Sequence, residues 1–335
     1  MRPSRGSSRE RGAIVSITGE PGIGKSRLLA EVQGRFAGRV RFLAGHAVSY
    51  AETIPYWPVR ELLRGWLGLG VSESEARVRL ELRAELASVL GHEADEAYPF
   101  LAGLLGLALE SDQEQRMRDF ASDAVQRQTI DWLYELVSAL ARKRPLCLVL
   151  EDLHWSDEAT LSLLDELLPA VEQGAVAFVL VHRSDPDHPA WHVVDRARRR
   201  FRRMFVDVGL EPLTDADARK LAEADAGGQL PEELAQLLAE RAGGNPYFVG
   251  EAIRDLYERG ALTLDDGRVV LAGGASIPAA VQEALQARLD RLDAEARELL
   301  TTAAVTGVPS ACHCSSGSFP GLGCYRPSQS CNGSS

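Results

Sequence analysis

Residues Ile14-Val15-Ser16-Ile17-Thr18-Gly19-Glu20-Pro21-Gly22-Ile23-Gly24-Lys25-Ser26-Arg27-Leu28-Leu29 decide the fold. A short β-branched run enters a glycine-rich turn, and a helix follows whose apolar positions fall at Leu28, Leu29, Val32 and Phe36. Gly19 to Ser26 satisfies G-x-x-x-x-G-K-[ST], the phosphate-binding loop. Its glycines let the backbone wrap so that successive N–H groups point inward, and the helix adds its positive N-terminal end. Lys25 can reach the β- and γ-phosphates, and the Ser26 hydroxyl can ligate Mg²⁺. The chain holds 34 Arg and only 3 Lys, so roughly 0.002 chance matches to the four fixed positions are expected. A compact ammonium suits this loop where a planar guanidinium would not, which makes a lysine here informative. The stretch reads as a nucleotide site.

Outward from that loop, Val40 to His46 reads as a second strand. Ile54-Pro55-Tyr56-Trp57-Pro58 is an aromatic, proline-rich loop before a helix through Leu62, Leu63, Trp66 and Leu67. Residues 72–142 read as helical throughout, with Val78, Leu82, Leu86, Val89 and Leu90 at helical period and a further helix over Arg127 to Ala141. Leu146 to Leu150 is a continuous apolar run, the signature of a parallel strand buried on both faces. A helix over Asp157 to Leu168, a strand over Val176 to His182, an arginine-rich helix and a strand over Phe205 to Val208 complete a doubly wound α/β pattern.

The adjacent acids Glu151-Asp152 end the buried strand, where an open parallel sheet faces its ligand crevice. One carboxylate can hold the magnesium shell while the other orients the attacking water. In His154-Trp155-Ser156-Asp157, the tryptophan is expected to pack and Asp157 to cap the next helix. Arg183, just beyond the following strand, can sense a γ-phosphate. The arginines at 196, 198, 199, 200, 202 and 203 read as a solvated helix face, since stacking aromatics other than Phe201 are missing among them.

After Gly209 the pattern turns helical: Thr214 to Ala226, Pro231 to Ala242 and Pro246 to Arg259. A hairpin then pairs Leu262-Thr263-Leu264 with Val269-Val270-Leu271, before helices over Pro278 to Asp290 and Ala294 to Ala304. The last stretch, residues 307–335, is rich in Ser, Gly, Pro and Cys, and reads as disordered and foreign to the fold. A reading-frame change near Gly307 would produce that shift, a hypothesis that the neighbouring DNA would refute if neither other frame continued an apolar helix. Cys312, Cys314, Cys324 and Cys331 lack the paired C-x2-C spacing of zinc knuckles, and Cys147 falls alone in the buried strand. Residues 1–12 are basic and Ser-rich without the apolar core of a signal peptide, so the cytoplasm is the expected compartment. With 45% apolar residues but no apolar run of membrane-spanning length, no membrane contact is expected. A net charge of −11 argues against direct nucleic-acid binding by the whole chain.

The phosphate loop, Ile54-Pro55-Tyr56-Trp57-Pro58, Leu148 to Asp157 and Gly243-Gly244-Asn245-Pro246-Tyr247-Phe248 together resemble bacterial STAND-type ATPases. More narrowly, they resemble the AAA-like module of large LuxR-type transcriptional regulators and of multidomain proteins with class III adenylate cyclase domains. The resemblance implies a P-loop NTPase whose parallel sheet runs in the order 5-1-4-3-2. It divides the chain into a core over residues 13–210 with a helical insertion at 72–127, a helical lid over 211–260 and a partial winged helix over 261–306. It places Glu151 on the magnesium side, Asp152 at the water, Arg183 as sensor and Pro246 against adenine. Nucleotide contacts would come from Gly19, Glu20, Pro21, Gly22, Ile23, Gly24, Lys25, Ser26 and Arg27, with Mg²⁺ on Ser26 and Glu151. Many relatives have Asp where this chain has Glu151, and they carry an adenine-holding Gly-Arg-Glu segment ahead of the first strand that is not found in residues 1–12. ATP or ADP with Mg²⁺, slow hydrolysis and self-association in the ATP state are the implied properties. A non-hydrolysing nucleotide sensor in a cyclase-associated protein is the alternative.

Overall fold

The computed structural model describes residues 12–48, 54–70, 72–118, 120–265 and 267–272. The chain divides into two compact units, Met1–Leu285 and Gln286–Ser335, and every described residue belongs to the first. The expected helices over residues 278–290 and 294–304, the tail and most of the partial winged helix lie outside the described residues.

Strands β1 (Ala13–Thr18), β2 (Arg41–His46), β3 (Leu146–Glu151), β4 (Val176–His182) and β5 (Phe205–Gly209) form one sheet. Its order is β2-β3-β4-β1-β5, which read from the other edge is the expected 5-1-4-3-2. Every pairing is parallel, with Thr18 opposite His182 and Leu150 opposite Leu180, so the carboxyl ends of β1, β3 and β4 share one rim.

Strand alternation splits the interior in two. Ile14, Leu146, Leu148, Leu150, Phe178 and Leu180 enter the large core, while Ile17, Cys147, Val149, Val179 and Val181 face a smaller one with Leu29. Because β3 contributes to both, all six of its residues are buried, as its unbroken apolar run requires. The small core is roofed by α1 (Lys25–Phe36), in which only Leu29 is buried. Val32 is 38% exposed, so the four-residue apolar stripe expected of this helix does not face inward as a whole.

The large core is covered by α2 (Trp57–Trp66), α3 (Glu75–Leu90), α4 (Ala94–Leu104), α5 (Ser111–Arg118), α6 (Ser122–Lys143), α7 (Glu158–Leu167) and α8 (Pro189–Arg200). Helix is not continuous over residues 72–142: the chain turns at Leu105 to Glu110, where Gly106 takes φ 76°. Gly45 in β2 is required by packing, because a Cβ there would lie 2.0 Å from the Pro58 carbonyl oxygen of α2.

Helices α9 (Asp215–Ala226), α10 (Glu232–Ala242) and α11 (Pro246–Glu258) enclose a separate apolar cluster with the antiparallel hairpin β6 (Leu262–Asp265) and β7 (Arg268–Leu271). Thr214 caps α9 and Asn245 caps α11, which carries proline at its first position. Three of the four arginines of α8 meet intrachain acids: Arg196 on Asp165, Arg199 on Asp195, and Arg198 on both oxygens of Asp207 at 2.8 Å. No described helix is long and apolar enough to cross a membrane.

Candidate functional site

Between β1 and α1 the backbone takes left-handed angles at Gly22 (φ 80°) and Gly24 (φ 106°), conformations closed to most side chains. Gly24 immediately precedes the helix, so the α1 amides open onto the same hollow. Ile23 is buried and pins the loop, while Glu20, Pro21, Gly22, Ser26 and Arg27 are exposed. Lys25 Nζ donates to the carbonyls of Gly19 at 2.8 Å and Glu20 at 3.1 Å. Burial lowers the pKa of this ammonium, with the Asp152 carboxylate opposing and the Arg183 charge reinforcing the shift.

Opposite the loop, the end of β3 carries Glu151, only 8% exposed. Ser26 Oγ donates to Glu151 Oε2 at 2.9 Å, joining the phosphate loop to that strand end. His46, ending the neighbouring β2, meets Glu151 Oε1 through Nε2 at 3.1 Å and Glu61 of α2 through Nδ1 at 3.2 Å. The Glu61 carboxylate also accepts the His46 backbone N–H at 2.8 Å. Hydrogen bonds to Glu151 and then Glu61 raise the His46 pKa to about 10, so the imidazole is a cation between two carboxylates. Burial alone would raise the Glu151 pKa, but its hydrogen bonds from His46 and Ser26 and the charges of His46 and Lys25 prevail and lower it. A hydroxyl and an ionised carboxylate side by side are the hard oxygen donors that suit Mg²⁺, and the arrangement fits that ion.

Asp152 follows with φ 54°, a left-handed conformation at a residue with a side chain, of the kind that concentrates at functional sites. A single 3₁₀ turn over Leu153–Trp155 comes next, with Leu153 fully buried. Asp157 caps α7 by accepting the Thr160 N–H at 2.8 Å and also accepts the Tyr56 backbone N–H at 3.2 Å, tying α7 to the start of α2. The capping aspartate is as the sequence led one to expect, whereas Trp155 is half-buried and does not join the core.

From β4, His182 and Ser16 of β1 form a buried polar pair, Oγ to Nε2 at 3.0 Å. Burial lowers the His182 pKa. Its Nδ1 lies 2.9 Å from the Arg183 carbonyl oxygen and must donate there, so Nε2 accepts from the serine. This fixes the strand end that presents Arg183, whose guanidinium lies 5.8 Å from the Trp155 ring centroid.

These parts surround one cleft of about 510 Å³, lined by Pro21, Gly22, Gly24, Lys25, Ser26, Arg27, Asp152, His154, Trp155 and Arg183, and by Leu221, Asp225, Pro246 and Tyr247 from α9 and α11. The α11 cap is docked on the loop: Asn245 Nδ2 donates to the Pro21 carbonyl at 3.0 Å, and the Tyr247 N–H lies 3.3 Å from the Gly22 carbonyl. Lys25, Ser26, Asp152, Arg183 and Pro246 are thus brought to one place, while Glu151 sits behind Ser26. Sequence reasoning missed His46, Glu61, Leu221 and Asp225, and it quoted Asn245 and Tyr247 within a motif without giving either a role. The local signal at Asn245 is that of a cap residue followed by proline.

Among known proteins, residues 215–270 match a domain of unknown function, DUF8739. An uncharacterized protein of Rhizobium meliloti (strain 1021) is 26% identical over 306 residues, which are 88% of this chain and 27% of that one. The chain therefore spans about a quarter of the length of this curated relative. Among solved structures, Cdc6p of Pyrobaculum aerophilum aligns with TM-score 0.40 and 15% identity over 76% of this chain and 58% of that one. The ORC2 protein of Aeropyrum pernix, solved as ADPNP-ADP complexes, aligns with TM-score 0.40 and 13% identity over 89% and 70%. The fold assignment rests on the strand order and on the family match, which covers residues 4–181. By that match, the chain belongs to the AAA ATPase domain family.

Proposed function

We propose that the cleft binds ATP with Mg²⁺ and that the chain is a slow ATPase, acting as a signal-transduction switch within a longer, cytoplasmic regulatory protein. The observation that supports this reading is the hydrogen bond from the phosphate-loop Ser26, which shares the cleft wall with Lys25 and Asp152, to the Glu151 carboxylate behind it. The loop amides of Gly19 to Arg27 would cradle the phosphates, and Lys25 would exchange its carbonyl contacts for β- and γ-phosphate oxygens. Asp152 would accept a hydrogen bond from the attacking water and orient it, and Arg183 would balance charge developing on the γ-phosphate. Ser26 and Glu151 would hold Mg²⁺, which would supply charge neutralisation to the phosphate chain.

Residues 211–260 would act as the lid, with Pro246 against adenine. ATP in contact with both lid and core would favour their closed arrangement and self-association, and hydrolysis would release them. The resemblance to LuxR-type regulators supports an output in transcription. Turnover is expected to be slow, since the reaction needs only positioning and charge stabilisation and a switch gains nothing from speed.

Single-turnover phosphate release from ATP by wild type and Asp152→Asn tests the assignment. The substitution should leave ATP binding intact and abolish release. Equal release by both proteins would remove Asp152 from the chemistry, and a wild type that binds ATP without releasing phosphate would be a sensor.

A further inference from the structure

A second cavity, of about 410 Å³, opens among the start of α2 and the helices α4, α5, α6 and α7. It shares no lining residue with the nucleotide cleft. Tyr56, Phe100 and Met117 line it from three different elements, and Leu163 closes the side formed by α7. Ser122, Gln126 and Thr129, four and three residues apart on one stripe of α6, add hydroxyl and amide groups to its wall. None of the described residues lining it is charged, whereas the nucleotide cleft presents Lys25, Arg27, Asp152 and Arg183. An ion entering this cavity would shed its hydration with no opposite charge to replace it, so the occupant that fits is neutral.

Two features set the cavity apart from an accident of packing. Gly103, on its wall and next to the last residue of α4, has nothing within 4 Å of the place where a Cβ would stand. A larger side chain would fit there and would favour the helix by about 1 kcal/mol, yet the position is bare. Tyr56 holds φ 63°, and among the described residues the other non-glycine residue with a left-handed angle is Asp152 in the nucleotide cleft. Size then selects the kind of occupant. The volume falls within the roughly 300–1,000 Å³ of small-molecule sites, while two turns of a helix about 10 Å across would need about 800 Å³.

We propose that this cavity binds a small, uncharged aromatic molecule carrying one hydrogen-bonding group. Its ring would lie against Tyr56, Phe100 and Met117, and its polar group would meet the hydroxyl and amide stripe of α6. The inference is independent of the nucleotide reading.

Titration of the whole chain with 2-naphthol, and with 2-naphthoate, which keeps the ring system and adds a charge, tests it at neutral pH. The readout is the ε-methyl signals of the three methionines, labelled with ¹³C. The Met117 signal should shift and saturate with 2-naphthol at a Kd below about 1 mM, while that of Met204, which does not line the cavity, stays in place. 2-Naphthoate should bind at least about tenfold more weakly. Gly103→Leu, which extends a side chain into the open space, should weaken 2-naphthol binding at least about tenfold without lowering the unfolding temperature. The Met117 readout in wild type needs no variant to fold. A Met117 signal that stays unmoved up to the solubility of 2-naphthol, a 2-naphthoate that binds as tightly, or a folded Gly103→Leu that binds as well as wild type would overturn the proposal.

Discussion

Asn245 holds two structures together, and its replacement separates them. Its Oδ1 accepts the Tyr247 N–H at 3.0 Å and so caps α11, while its Nδ2 donates to the Pro21 carbonyl at 3.0 Å and so docks that helix on the phosphate loop. Asn245→Ala removes both, at about 1 kcal/mol for the cap and about 0.5–1 kcal/mol for an exposed neutral hydrogen bond. Part of the cap loss is offset because the Tyr247 N–H still lies 3.3 Å from the Gly22 carbonyl. Asn245→Asp keeps a capping oxygen but turns the donor at Pro21 into a second acceptor, so it weakens docking alone. For either variant the docked fraction should fall roughly two- to fivefold relative to the undocked. Limited proteolysis of the connection at residues 210–214 should accelerate by that factor, and ADP should restore protection if, as proposed, the nucleotide bridges the loop and α11. Thermal unfolding should fall clearly for alanine and little for aspartate. An aspartate variant cut no faster than wild type would refute docking through Asn245.

Two further outcomes concern the folded chain without nucleotide or metal. The folded His46 imidazole keeps its proton up to about 10 against 6.5 in the unfolded chain, so its contribution is complete below pH 6.5 and lost as pH rises towards 10. His154 works in the opposite direction: unfolded it protonates below 6.5 but folded only near pH 4, so stability falls as pH drops through that window. Denaturation midpoints should therefore peak near pH 6.5, and His46→Gln should flatten the alkaline limb; an unchanged limb would contradict the His46 bridge. Phe178, fully buried on the central strand, should lose about 3–5 kcal/mol on replacement by alanine, whereas the half-exposed edge residue Val206 should change stability by less than about 0.5 kcal/mol in guanidinium unfolding.

Features governed by neighbours in the sequence were legible. The phosphate loop needs its glycines within eight residues, and β3 declares double burial by its apolar run, so both were readable from the chain. Asp157 announced its cap in the same way, and the two short apolar runs after Ala261 announced the hairpin. What escaped depends on partners far along the chain. His46 reaches Glu151 only because β2 pairs with β3 in a register that sets residue 46 opposite 151, and Glu61 joins them only because Gly45 lets α2 lie against the strand. A one-residue slip would send that imidazole to the other face. The open flank of α1 likewise could not be read from helical period, which identifies an apolar stripe without saying how wide its covering layer is.

The account depends on the glycine loop and its lysine holding a triphosphate, and calorimetric titration of wild type and Lys25→Ala with ATP and Mg²⁺ measures that directly. Wild type should bind one ATP per chain, and Lys25→Ala should lose most of that affinity while melting at nearly the same temperature. No heat from folded wild type at millimolar ATP, or equal binding by the two proteins, would contradict it.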